Sequence, residues 1–277
     1  VTFFRDLKTL LQLALPIRGN THQQRLENFY GKQADNYDVF RRRLLHGREP
    51  LWQSIEIPEG GRWVDFGGGT GANVENIADK LNRLERLEIV DLSASLLQVA
   101  DRRIADRGWR NVVTHCRDVT TFTPDAPVDI VTFSYSLTMI PDWFAAVENA
   151  LRILKPGGTI GVVDFYVSRK YPAESHRRHG PLTRSFWPTW FAKDNVFLSP
   201  DHLPYLESKC ESSELHEDRG GLPFVPLLTV PYYRFVGKKP LPVKTQFTEG
   251  GSSQTRQQNA LKGAVCETNH CSAELCP

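Results

Sequence analysis

Between Arg62 and Phe165 the chain alternates short β-branched runs with apolar residues at helical spacing, separated by Gly or Ser turns. Arg62–Phe66, Arg86–Val90, Val112–Cys116, Ile130–Ser134 and Thr159–Phe165 read as strands. Val74, Ile77, Ala78 and Leu81 predict a helix after the first strand. Leu96, Leu97, Ala100 and Ile104 predict a second, capped by Ser93. Pro141 and Asp142 open a third, with Phe144, Val147, Leu151 and Leu154 inward and Pro156-Gly157-Gly158 as its stop. Strands alternating with helices imply βαβ crossovers, hence an α/β, doubly wound, mostly parallel sheet. Tyr232–Val236 reads as one more strand, and its return through a loop predicts an antiparallel edge.

The pattern divides the chain into three parts. Residues 1–50 form an N-terminal helical or lid region, 51–239 the α/β domain with an insertion at about 166–200, and 240–277 a polar tail rich in Gly, Ser, Thr and Gln. The tail is expected to be disordered. Its Cys266, His270, Cys271 and Cys276 match no compact zinc spacing, so no metal is expected.

Composition narrows the classes. The 277 residues carry 34 Lys+Arg against 32 Asp+Glu, a net charge of only +2, which speaks against a nucleic-acid partner. No run approaches the roughly 18 apolar residues that a spanning helix needs. Thr2–Ile17 is apolar but short and interrupted by charges, and it does not read as a signal peptide. Of five cysteines, Cys116 and Cys210 are isolated and the other three crowd the tail, an odd count that makes no disulfide framework, so a reducing, cytoplasmic location is expected. The chain starts on Val rather than Met, as a fragment would.

The sharpest chemical signal is Val64-Asp65-Phe66-Gly67-Gly68-Gly69-Thr70-Gly71, closing the first strand. Glycines there let backbone approach a ligand closely. Gly67, Gly69 and Ala72 also satisfy the dinucleotide pattern, and Asp91 at the end of the second strand suits the ribose diol of either cofactor. Asp65 discriminates: a carboxylate just before the turn suits an ammonium-bearing cofactor and repels a pyrophosphate. Asp118, after the third strand, is placed to accept an adenine amine. Tyr166-x-x-x-Lys170 copies a short-chain dehydrogenase spacing, but it falls at a strand end and is read as coincidence.

With VDFGGGTG, IVDLS, CRDVTTF, DIVTFSYSL and LRILKPGGTIGVVDF in that order, the chain resembles the class I S-adenosylmethionine-dependent methyltransferases. The resemblance implies their seven-stranded Rossmann-like sheet and S-adenosyl-L-methionine as cofactor. It implies that Gly67, Gly69 and Gly71 line the cofactor and Asp91 takes the ribose hydroxyls, with Leu92 beside the adenine. Asp118 and Val119 would frame the base, and Ser134 and Tyr135 would sit at the reaction centre.

The flanks bear on the acceptor. Tyr30 and Tyr37 precede the sheet as a lid would and are candidates to cover the sulfonium; packing of a helix on the sheet is the alternative. After the fifth strand, Arg169, Lys170, His176, Arg177, Arg178, His179 and Arg184 run into Phe186, Trp187, Trp190 and Phe191, a composition suited to a headgroup boundary. With amphipathic Phe3–Ile17, it predicts peripheral contact with the cytosolic face of an anionic membrane. RLENFYGKQADNYDVFRRRLLHGREPL, HGPLTRSFWPTWFAKDNVFLSP and VPYYRFVGKK resemble the betaine-lipid N-methyltransferases, which trimethylate the amine of diacylglyceryl homoserine. That likeness implies a lipid or small amine substrate. It also implies an aminocarboxypropyl transferase as partner or fused domain.

An ammonium has no lone pair, so the acceptor must first lose a proton. Asp164, His176 and His179 are the candidate acceptors of that proton. Tyr30, Tyr37, Tyr135 and Tyr166 are candidates for an aromatic cage around a methylated cation. The alternatives are a soluble small-molecule N- or O-methyltransferase, a non-catalytic scaffold of the same fold, and a nicotinamide oxidoreductase.

Overall fold

The computed structural model describes Thr21, Gln24, residues 43–223 and residues 225–242. Tyr30, Tyr37, the Phe3–Ile17 segment and the tail beyond Pro242 lie outside the described residues. All described residues belong to one unit, Val1–Pro242.

Hydrophobic β-branched runs form β1 (Gly61–Phe66), β2 (Leu84–Asp91), β3 (Val112–Cys116), β4 (Val128–Ser134) and β5 (Leu154–Phe165). β1 and β4 are buried almost throughout, as strands covered on both faces must be. Two further strands, β6 (Glu211–Leu222) and β7 (Val225–Lys238), complete one seven-stranded sheet in the order β3-β2-β1-β4-β5-β7-β6. The first five run parallel; β7 is antiparallel to both β5 and β6. The predicted strand at Tyr232–Val236 is therefore internal, and the edge is β6. Its Glu-, Ser- and Gly-rich sequence lacks the β-branched run that marks a buried strand.

Helices α1 (Arg48–Ser54), α2 (Ala94–Arg107), α3 (Trp143–Ile153), α4 (Pro181–Ala192) and α5 (His202–Lys209) accompany the sheet. Ser93 caps α2, accepting from the Leu96 N–H at 3.4 Å, and Asp142 caps α3, accepting from the Ala145 N–H at 3.0 Å. One core contains Trp52 of α1 and Trp63, Ile89, Val163 and Phe165 of the sheet. The other contains Phe66, Phe133 and Val162 with Val147 of α3 and Leu206 of α5.

Three local expectations need correction. The helix predicted after β1 is instead a 3-10 segment, Ala72–Ile77, followed by a 3-10 turn, Leu81–Arg83. Val74, Ile77 and Leu81 are buried, but Ala78 is exposed. Phe144 is exposed, stacked on Trp143 at the start of α3 rather than facing inward. Pro156-Gly157-Gly158 does not stop α3, which ends at Ile153; Leu154 already pairs with Val128 as β5 begins. The Gly pair instead exchanges hydrogen bonds with Lys239: Gly157 N–H to the Lys239 carbonyl at 3.0 Å and Lys239 N–H to the Gly158 carbonyl at 2.8 Å.

Candidate active site

In a parallel sheet, ligands bind beyond the carboxyl ends of the strands where the strand order reverses. Here the reversal lies between β1 and β4. Gly67, Gly69 and Gly71 follow β1, Asp91 and Leu92 close β2, and Asp118 and Val119 follow β3. Ser134 and Tyr135 end β4, and Asp164 and Tyr166 end β5. The topology thus gathers every described cofactor candidate along one rim.

The bend after β1 is built from left-handed glycines, with φ of 70° at Gly67, 56° at Gly69 and 66° at Gly71. Part of the demand for glycine comes from the chain itself. A Cβ on Gly67 would lie 2.4 Å from Ser136 Cβ, one on Gly68 2.7 Å from Asp65 Oδ2, and one on Gly71 2.9 Å from Ile89 Cδ1. At these three positions the missing side chain admits neighbouring protein rather than a ligand. Asp65 lies fully buried beneath the bend, accepting from Thr132 Oγ1 at 2.8 Å and Asn73 Nδ2 at 3.4 Å. Thr132 Oγ1 in turn accepts from the Trp63 indole at 2.9 Å.

Asp91 ties the second strand to the bend. Its Oδ2 accepts from Gly69 N–H at 2.9 Å and its Oδ1 from Ser93 N–H at 2.8 Å. The side chain is only partly buried, so a carboxylate of fixed orientation faces the rim. Asp118 is exposed; its Oδ1 takes both Thr120 N–H, at 2.9 Å, and Thr120 Oγ1, at 2.8 Å. Its Oδ2 has no partner among the described residues. Val119 is buried and Leu92 half-buried, giving that end of the rim an apolar floor.

The β4 end is closed by packing. Ser134 Oγ accepts from the Trp52 indole at 3.1 Å, so its hydroxyl turns under α1. Tyr135 has a left-handed backbone, φ 58°, rare for a non-glycine. Its hydroxyl donates to the His46 carbonyl at 2.7 Å and its ring meets Phe165 edge-on at 4.6 Å. Burial holds the phenol protonated, well above its ordinary pKa. Ser136, which sequence reasoning missed, donates to the Phe66 carbonyl at 2.8 Å and fills the space left by Gly67.

Asp164 is fully buried. Its Oδ1 accepts from Thr138 Oγ1 and Phe165 N–H, both at 2.8 Å, and its Oδ2 from Thr138 N–H at 3.1 Å. Burial pushes its pKa up to about 7 in spite of these donors. His179 is also buried; its Nδ1 accepts from Ser168 N–H at 3.0 Å, and burial lowers its pKa. That nitrogen is committed, as His176 Nε2 is to Glu207 Oε1. Tyr135 and Tyr166 are interior rings, 4% and 3% exposed, packed on Phe165 and on His179 and Tyr233 respectively.

Beyond β5 lies a cavity of about 140 Å³ whose lining includes Tyr166, Tyr171, His176, Leu203, Glu207 and Glu217. Tyr166 donates to Glu217 Oε1 at 2.5 Å, and Glu217 Oε2 accepts from Arg177 N–H at 2.8 Å. His176 Nε2 lies 2.9 Å from Glu207 Oε1. Glu207 and Glu217 were not legible in the sequence, because they come from α5 and the unrecognised β6. Among the described residues no cluster suits a metal ion, and no helix is long and apolar enough to cross a membrane.

This fold and rim define the class I methyltransferase architecture. Solved structures that share it include the [4+2]-cyclase SpnF, with a TM-score of 0.60, 17% identity, and coverage of 82% of this chain and 100% of that one. Another is Haemonchus contortus phospholethanolamine N-methyltransferase 2, solved with phosphomonomethylethanolamine and S-adenosylhomocysteine, with a TM-score of 0.61, 15% identity, and coverage of 80% and 61%. The profile of the ubiE/COQ5 methyltransferase family matches residues 19–175, more than half of the chain, and the chain belongs to that family. A relative in Hydrogenovibrio crunogenus, the ubiquinone/menaquinone biosynthesis C-methyltransferase UbiE, is 28% identical over 150 residues, covering 51% of this chain and 59% of that protein.

The cofactor of such a family is S-adenosylmethionine, and the residues present fit it. Asp91 offers an oriented carboxylate to a diol, Val119 and Leu92 an apolar surface to a base, and Asp118 Oδ2 an acceptor to an amine.

Proposed function

We propose that this chain is an S-adenosylmethionine-dependent N-methyltransferase acting on a lipid-borne amine, with trimethylation of diacylglyceryl homoserine as its reaction. The observation that carries the methyl-transfer reading is the Asp91 carboxylate locked onto Gly69 N–H at 2.9 Å. It holds the β1 bend and the ribose-binding acid in one geometry before any ligand arrives. When bound, S-adenosylmethionine supplies an electrophilic methyl carried on a sulfonium.

The protein's own residues do the rest. Gly69 and Asp91 hold the donor, and the rim at β4 and β5 lines up the acceptor; positioning of this kind is worth about 7 to 11 kcal/mol of barrier. With the methyl given by the bound donor to the amine nitrogen and the carbon–sulfur electron pair leaving on sulfur, the chain need supply only position and a proton acceptor. His176, paired with Glu207, takes the proton that frees the amine's lone pair. Asp164 is tied by two backbone amides and Thr138, and acts as a positioning residue for the β5 end.

An amine acceptor is supported by the cavity beyond β5, where two carboxylates and two tyrosines meet. Arg169, also in its lining, already donates through Nε to Asp201 Oδ1 at 2.7 Å, which leaves its other guanidinium nitrogens for the carboxylate of a zwitterionic headgroup. A volume of about 140 Å³ has room for a small amino-acid head.

A second reading is C-methylation of a ring, favoured by the family match and the UbiE relatives. The chain spans between 55% and 59% of the length of the first curated relatives it matches. Incubation with labelled donor and a lipid extract separates the readings. Label on the nitrogen of a zwitterionic lipid is expected, and label on a ring carbon would replace this reading with the second.

A further inference from the structure

We infer that the outer face of α4 is a membrane-docking surface whose occupant is a bilayer containing anionic lipid. Leu182, Phe186 and Trp190 recur at i, i+4 and i+8 in this helix and are 86%, 42% and 47% exposed. At about 100° per residue they fall within roughly 80° of one another. Trp187 and Phe191, about 100° and 140° round the helix from Phe186, are buried, and Phe191 stacks on Phe165 at the end of β5, 4.9 Å between rings. The helix is therefore anchored through one aromatic face while presenting another to solvent.

A solvent-facing helix surface ordinarily carries charge. This one carries none: the other exposed residues are Pro181, Ser185, Thr189 and Ala192, and the only charged residue of α4, Arg184, is half-buried. Phe197, 56% exposed, follows shortly after the helix. The chain leading into and out of the helix carries charge instead. From Arg169 to Lys193 there are six Lys or Arg and one acid, Glu174, in a chain whose net charge is only +2. Arg169, Lys170, Arg177, Arg178 and Lys193 are exposed. Lys170 and Arg178 lie 5.3 Å and 5.7 Å from the ring centre of Tyr171, itself 73% exposed.

Exposed apolar and aromatic side chains flanked in the chain by exposed cations match the boundary of an anionic bilayer: the rings enter the headgroup region and the cations meet phosphate. A second copy of this chain fits less well, because a two-fold contact would bring both cationic rims together. The inference extends the reading of a lipid-borne acceptor by naming the surface that meets the lipid, and it is separable from that reading.

The test is co-sedimentation of the full chain with phosphatidylcholine vesicles, with and without phosphatidylglycerol. Wild type is expected to sediment with the anionic vesicles and to be released by salt. Leu182→Glu/Phe186→Glu/Trp190→Glu is expected to bind them about tenfold more weakly or worse, with its affinity for S-adenosylhomocysteine unchanged. Leu182→Glu alone, at the most exposed position, cannot disturb the buried face and gives a smaller loss of the same sign. Wild type left in the supernatant, or variants that sediment like wild type, would overturn the inference. So would a wild-type dimer in sedimentation velocity that the triple variant abolishes without any vesicle binding. Methyl transfer to a detergent-solubilised amine lipid, measured in parallel, reports on the acceptor reading alone.

Discussion

The Asp91 carboxylate, at the end of β2, accepts the backbone N–H of Gly69 in the bend after β1 at 2.9 Å, while its other oxygen accepts Ser93 N–H at 2.8 Å. One side chain thus fixes the glycine bend and the entry to α2 together, and it still faces the rim.

Asp91→Ala removes that clamp and the diol acceptor at once. S-adenosylhomocysteine affinity measured by calorimetry is expected to fall by at least about a hundredfold, the scale of two lost charge-assisted hydrogen bonds. Circular dichroism should stay native. Wild-type affinity in this variant would remove Asp91 from the site.

Gly67 and Gly60 have nearly the same left-handed backbone, φ 70° and 66°, but only Gly67 is crowded. Gly60→Ala should cost about 1 kcal/mol in urea denaturation, the strain of the backbone alone. Gly67→Ala should cost about 2 kcal/mol more, because its Cβ meets Ser136. Equal losses would show that packing against Ser136 does not set the bend.

Asp164 gives a pH signature. Its pKa is raised by burial from the ordinary carboxylate range to about 7, so the folded state holds a proton that the unfolded chain releases near pH 4. Its contribution is fully present below about pH 4 and is lost as pH rises towards 7. The stability of wild type relative to Asp164→Asn should therefore decline across that window in denaturant titrations. A flat difference would mean that the three donated hydrogen bonds outweigh burial.

Tyr166→Phe deprives Glu217 Oε1 of its 2.5 Å donor at the wall of the cavity. Stability should drop by about 1 to 3 kcal/mol. If the cavity receives the acceptor's headgroup, KM for the lipid rises while S-adenosylhomocysteine affinity holds. A change in cofactor affinity instead would move Tyr166 into the donor site.

The parallel half of the sheet was legible from its β-branched runs: those of β1 and β4 follow from burial on both faces, the edge strand Val112–Cys116 was read to the residue from its β-branched start, and Ser93 was read as a cap from its type and position alone. The stretch after β1 was misread because its apolar spacing suits α and 3-10 geometry alike over so few residues. β6 went unseen because an edge strand rich in Glu, Ser and Gly has no hydrophobic signature; pairing with β7 makes it a strand. Glu207, Glu217, Thr138 and Ser136 share that limit, since each matters through a partner distant in sequence.

What the chain's own order of residues determined is the class of fold, the place of the glycine bend and the acids at the strand ends, all local consequences of periodicity and backbone freedom. Tertiary structure alone decided which hydroxyl fills the space at Gly67, which carboxyl has its pKa raised by burial, which acids line the cavity and which aromatic face of α4 meets solvent. Those outcomes depend on burial and on contacts between segments far apart in the chain, quantities that no window of sequence contains.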